Sequence, residues 1–273
     1  MQAYLLYMLI DFTTRKRRLT MPTINILVKT IDLIELDSII ESYDYKTDPL
    51  LTAHFHQIET KLWHRIESYC CNTSSYGAAL SAHLRRVSQD GHEFLTDALG
   101  FSKKAANNFH AANLFHDLGK THNAYNEDIW NLPYRPTDDQ RAEKRLHTVR
   151  GTEIFLEAIA DLPLEVQHHP HLRIVIPALQ MFHHERLDGQ GYAKRHGDEM
   201  GRLIKALCIV DCKDGDLVLR GHHVDRRTEK EALLRMKGLS DYDGNAKYVG
   251  AFDEMLDHYI HHRELKTGQN ILS

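Results

Sequence analysis

Five histidines and two aspartates, His83, His116, Asp117, His147, His183, His184 and Asp211, follow one another in an order that can fill two metal shells. A neutral imidazole binds one cation through a single nitrogen, whereas a carboxylate has two oxygens and can bind two cations at once. Asp117, next to His116 in the segment HDLGK, is therefore a candidate bridge. Mixed histidine and carboxylate donors suit iron, manganese, zinc or nickel better than magnesium or calcium, which favour all-oxygen shells. Each piece alone is weak, because an HD dipeptide or a lone histidine is more often a surface or core residue than a ligand.

Donors so far apart in sequence need rigid elements to bring them together, and the chain offers helices. Glycine and proline are sparse and fall between long segments of helical period, with no sustained alternation of the strand type. The pattern predicts an all-α protein with helices over about 50–71, 77–99, 103–117, 140–159, 172–184, 201–219, 228–237 and 246–262. In the third of these, Ala105, Phe109, Ala112 and Phe115 recur at spacings of three and four and face a core. Ser102 is a suitable N-cap and Gly119 a suitable stop, so His116 and Asp117 are expected at the helix's last turn.

With 34 basic and 38 acidic residues and a formal net charge of −4, the chain lacks the positive field that draws proteins to nucleic-acid polymers. A small phosphate ligand stays open, since a local metal pair can supply the charge the whole chain lacks. Cys70, Cys71, Cys208 and Cys212 have neither a disulfide nor a zinc-ribbon spacing, and reduced cytoplasmic thiols are expected. The apolar YLLYMLI near the start is too short to span a membrane, and the basic run 15–18 follows it rather than precedes it as in a secretory signal. A soluble N-terminal segment is the expectation. A true start at Met21, or a peripheral membrane contact through the basic run, are the alternatives.

From about His83 to Thr228, roughly half of the chain, the sequence resembles an HD-GYP domain, a branch of the HD metal-dependent phosphohydrolases. The segments carrying the resemblance are HLRRV from His83, HDLGK from His116, His147 four residues before Gly151, HHERLDGQGYA from His183, and Asp211 with Asp214. The resemblance implies an HD-domain helical bundle over 73–265; before it, apolar residues such as Ile31, Leu33, Ile34, Leu36, Ile39 and Ile40 are read as an N-terminal helical accessory segment over 1–72 or a homodimer surface. It implies one metal held by His83, His116, Asp117 and Asp211, and a second by Asp117, His147, His183 and His184. Iron or manganese is favoured, with zinc or nickel as alternatives. It gives Lys120 a contact to the scissile phosphate and makes Arg220 a phosphate ligand, with Tyr192 also at the substrate. Asp188 is expected either at the substrate or as an organiser of its loop. The implied reaction is hydrolysis of a cyclic dinucleotide, cyclic di-GMP first, by hydroxide from a water activated between two metals.

Three positions depart from the family pattern. Ala79 stands where members with a third metal carry glutamate, Ala193 replaces the proline of GYP, and His223 replaces a second basic phosphate ligand. The alternatives are an HD nucleotide phosphohydrolase or phosphatase, a catalytically silent cyclic-nucleotide-binding module, and a di-iron oxygenase on the same scaffold. The histidine clusters His168, His169, His171 and His258, His261, His262 are expected on the surface. Cys208 and Cys212 are expected as small buried residues on one helical face.

Overall fold

A computed structural model describes residues 31–72, 75–122, 127–130, 132, 134–218, 227–239 and 252–272. The chain divides at Ile31, and the compact unit Asp32–Ser273 holds every element described below. The N-terminal apolar segment and its basic run lie outside the described residues. Leaving one-turn elements unnumbered, the helices are α1 Leu36–Glu41, α2 Pro49–Asn72, α3 Leu80–Asp97, α4 Lys103–Asn113, α5 Asp138–Arg145, α6 His147–Ile159, α7 Ile176–Phe182, α8 Arg202–Leu217, α9 Glu229–Met236 and α10 Phe252–Thr267. No strand occurs among the described residues, only isolated bridges between Leu33 and Met200 and between Asp188 and His196. None of the described helices is long and apolar enough to cross a membrane.

The all-α expectation holds, and the breaks between helices are what position the chemistry. Ser102 caps α4 as expected, accepting a hydrogen bond from the Ala105 amide, and Ala105, Phe109, Ala112 and Phe115 are all buried. Burial of one such phenylalanine stabilises by roughly 1.5–3 kcal/mol. However, α4 ends at Asn113, before His116 and Asp117, and the chain tightens into a 3₁₀ turn, Leu118–Thr121. Gly119 lies inside that turn and serves contact, not helix termination. A Cβ there would sit 1.8 Å from the His147 carbonyl oxygen, so only glycine lets the turn press against α6. The helix expected over 140–159 is two helices, broken at Leu146, which makes His147 the first residue of α6.

Hydrogen bonds tie the segment before residue 72 to the helices that follow it. Asp37 of α1 caps the helix that carries Asp211: its carboxylate accepts from the backbone N–H groups of Arg202 at 3.1 Å and Leu203 at 2.9 Å. A negative charge there satisfies orphan donors and favours the helix dipole. Asn108 of α4 donates to the carbonyls of Ile40 and Tyr43 and accepts from the Tyr45 amide, fastening the same segment to the bundle.

Two histidine clusters are less exposed than their sequence context implies. His169 and His171 are buried, because a π-helical turn, His171–Val175, faces them inward onto Tyr43, Tyr45 and Phe55. His262 is buried against Phe94 and Tyr259, while His258 and His261 are exposed.

Candidate metal centre

The helix ends converge on one point. His83 lies in the first turn of α3, His116 and Asp117 follow α4, His147 opens α6, His183 and His184 follow α7, and Asp211 projects from the middle of α8. They form two adjoining donor groups, His83, His116, Asp117, Asp211 and Asp117, His147, His183, His184, with the donor atoms in each within 4.8 Å of one another. Asp117 belongs to both, and its two oxygens divide between them. Oδ2 lies 3.3 Å from His83 Nε2 and 3.7 Å from His116 Nε2, while Oδ1 lies 3.2 Å from His147 Nε2 and 3.4 Å from His183 Nε2. Asp211 completes the first group, 3.2 Å from His83 and 3.5 Å from His116, and its other oxygen is 3.6 Å from His184 Nδ1.

Hydrogen bonds behind the donors decide which nitrogen faces inward. His116 Nδ1 donates to the Asn113 carbonyl at 2.9 Å, His147 Nδ1 to the Lys144 carbonyl at 2.6 Å, and His183 Nδ1 to the Gln180 carbonyl at 2.9 Å. In a neutral ring the proton is then on Nδ1, which leaves a lone pair on Nε2. Those lone pairs have no partner of the right kind. His147 Nε2 and His183 Nε2 face each other at 3.1 Å, and His83 Nε2, His116 Nε2 and Asp117 Oδ1 are buried without a hydrogen bond. Buried acceptors pointed at one another are costly unless a cation lies among them, so the residues fit a metal centre.

The electrostatics agree with that fit. Burial raises the pKa of Asp117, but Lys120 and His116 with the neighbouring imidazoles outweigh it and hold the carboxyl well below its ordinary value. Asp211 is likewise held well below its ordinary value, because the His116 and His83 imidazoles beside it outweigh the opposing effect of burial. Burial and adjacent imidazoles push His184 down, and burial pushes His183 down despite Asp117, which keeps both rings neutral and ligand-competent. Burial disfavours a charged His83, yet Asp117, Asp211 and Asp214 together raise its pKa, the mark of a position that prefers positive charge.

The remaining expected residues divide. Lys120 is 9% exposed and pairs with Asp117 Oδ2. The Tyr192 ring packs 4.7 Å from the His184 ring and stays 36% exposed, at the mouth of the centre. The Asp188 carboxylate is ion-paired with Arg186 at 2.5 Å and accepts from the Gln190 amide at 3.0 Å, both contacts within its own turn. Arg220 and His223 lie outside the described residues.

Sequence reasoning assigned no role to three residues that stand behind the candidate donors and the Tyr192 loop. Asp214 accepts from His83 Nδ1 at 2.6 Å and is gripped by Arg86 at 2.7 and 2.9 Å, so it orients His83 as the carbonyls orient the other rings. Its carboxyl is held at about 2 by His83 and Arg86 against the opposing effect of burial. Their spacing was the available signal, Arg86 three residues after His83 and Asp214 three after Asp211, each pair on one helical face. Glu185 is the third. Fully buried, it accepts the backbone N–H groups of Ala193 and Arg195, both at 2.6 Å, and so folds the loop that carries Tyr192. A proline at 193, as in the GYP pattern, has no N–H to give, and alanine makes this clamp available. A Cβ on Gly191 would lie 2.7 Å from Glu185 Oε1, which explains the glycine.

A helical bundle with two histidine–aspartate groups sharing one carboxylate is the class of protein that fold and site define. Among solved structures, Bd1817, an HDG"Y"P protein from Bdellovibrio bacteriovorus, superposes with a TM-score of 0.53 over 94% of this chain and 75% of its own, at 16% sequence identity. This likeness shows the fold, an all-α HD-domain bundle. No protein-family model matches the sequence, and no curated protein matches it.

Proposed function

We propose that the chain is a metal-dependent phosphohydrolase that cleaves a phosphodiester, with a cyclic dinucleotide, cyclic di-GMP first, as its substrate. The observation that carries the reading is the meeting of two buried donor groups on Asp117, with the Lys120 ammonium against the same carboxylate. Two divalent cations held there, iron or manganese by preference, supply Lewis acidity toward water and phosphate oxygens. Lys120 adds a fixed positive charge at the edge of the centre, where a phosphoryl group gains negative charge as water attacks phosphorus and the P–O ester bond breaks. Trp130, 6% exposed with its ring 5.5 Å from that of His147, shields one side from water, and Tyr192 borders the open side. Arg220 is assigned by sequence position as a further phosphate ligand.

The test is turnover by protein loaded anaerobically with Fe(II) or Mn(II), on a panel of cyclic di-GMP, cyclic di-AMP, linear dinucleotides, nucleoside phosphates and simple monoesters. Hydrolysis of cyclic dinucleotides supports the reading. Hydrolysis of monoesters alone would move the substrate class, and tight binding without turnover in fully metallated protein would replace the enzyme by a signalling module.

A further inference from the structure

Three cations stand on aromatic rings around the centre, although the chain as a whole is acidic. Lys120 Nζ and Lys144 Nζ lie 5.4 and 5.7 Å from the Trp130 ring, and the Arg145 guanidinium lies 5.4 Å from the Tyr192 ring. Arg145 differs from the two lysines in its exposure. It ends α5, is exposed, and has no carboxylate in ion-pair reach among the described residues; the Tyr192 ring is the contact that orients it. Local structure holds it there for reasons unrelated to its own charge. A Thr137–Gln140 capping box starts α5, the Lys144 carbonyl at its end fixes the His147 ring, and the Glu185 clamp sets Tyr192 against His184. An exposed guanidinium braced on a ring, one ring beyond a metal ligand, is an anion receptor set back from the reaction point.

We infer that Arg145, braced on Tyr192, binds a second phosphate of the substrate, next to the one that is cleaved, and so selects esters with two phosphates over esters with one. The inference rests on the phosphodiesterase reading and deepens it by assigning a residue to the substrate's second phosphate. A guanidinium suits the task because its planar fork takes two phosphate oxygens at once, while an ammonium acts as a point charge. Stacking on Tyr192 fixes the plane of that fork, so less side-chain freedom is lost when the phosphate docks.

Two measurements separate this inference from the reading beneath it. The first is the ratio of kcat/KM for cyclic di-GMP, with two phosphates, to that for bis(4-nitrophenyl) phosphate, with one. Arg145→Ala is expected to lower the ratio at least tenfold, chiefly through KM for the dinucleotide, and Arg145→Lys to recover part of it. An unchanged ratio overturns the inference while leaving the enzyme in place. The second uses Asp117→Ala protein, which should not turn over, and reads anisotropy of a fluorescent cyclic di-GMP. Loss of binding on adding Arg145→Ala supports the second-phosphate site even where turnover fails. Equal binding with and without Arg145 overturns it.

Discussion

Replacing Asp214 by asparagine separates the two halves of the centre. The carboxylate is not itself one of the grouped donors, but it accepts the His83 Nδ1 proton at 2.6 Å and sets that ring's orientation and basicity. Asparagine keeps the shape and can still accept one neutral hydrogen bond, so the change removes charge and little volume. Arg86 loses its bidentate partner, but its side chain is 51% exposed and returns to water at small cost. The loss therefore concentrates on His83. Outer partners of ligating histidines are worth about 10–100-fold in metal affinity, or roughly 1.4–2.7 kcal/mol. The other donor group orients His147 and His183 through backbone carbonyls, which the substitution leaves intact. Titration of apoprotein with Mn(II) against a competing chelator should show one of two binding steps weakened by that factor and the other changed by a few-fold at most. Two unaltered steps, or two steps weakened equally, would refute the argument that Asp214 acts through His83.

Gly119→Ala should lower stability by about 2 kcal/mol or more, read from urea midpoints, because the added Cβ meets backbone atoms of His147 and Gly151 that cannot rotate away. The same variant should bind metal less well, since the displaced turn carries Asp117. Burial, helped by the neighbouring His169, lowers the pKa of His171 from 6.5 to about 3. The unfolded chain therefore takes up this proton first, so the contribution is present above pH 6.5 and is lost as pH falls toward 3. From pH 7.5 to pH 5 the loss is about 2 kcal/mol, and it should vanish from the urea midpoints of His171→Phe.

The candidate donors were legible in the sequence because metal ligation needs particular side-chain types, and HDLGK, HHERLDGQGY and Asp211 supply them in order. Helix existence was legible from the 3.6-residue period of residues such as Ala105, Phe109 and Ala112. The early end of α4 and the break at Leu146 were not, because both are set by tertiary contact between the 3₁₀ turn and the start of α6. His171 illustrates the same limit: its neighbours in sequence, His168, His169 and Pro170, read as surface, while its partners Tyr43 and Phe55 lie more than a hundred positions away. Asp37 as the cap of α8 is a pairing across 165 residues that no local pattern announces. Asp214, Arg86 and Glu185 were visible as motif letters, but their work lies in the hydrogen bonds they make behind the ligands.

The most direct test of the central claim is metal content and phosphodiesterase turnover measured on one sample, for the wild-type chain and for Asp117→Ala. Because Asp117 gives one oxygen to each donor group, wild-type protein should hold about two metals per chain and turn over, while the variant should lose metal at both positions and all activity. An Asp117→Ala protein that keeps its metals and its rate would contradict the account.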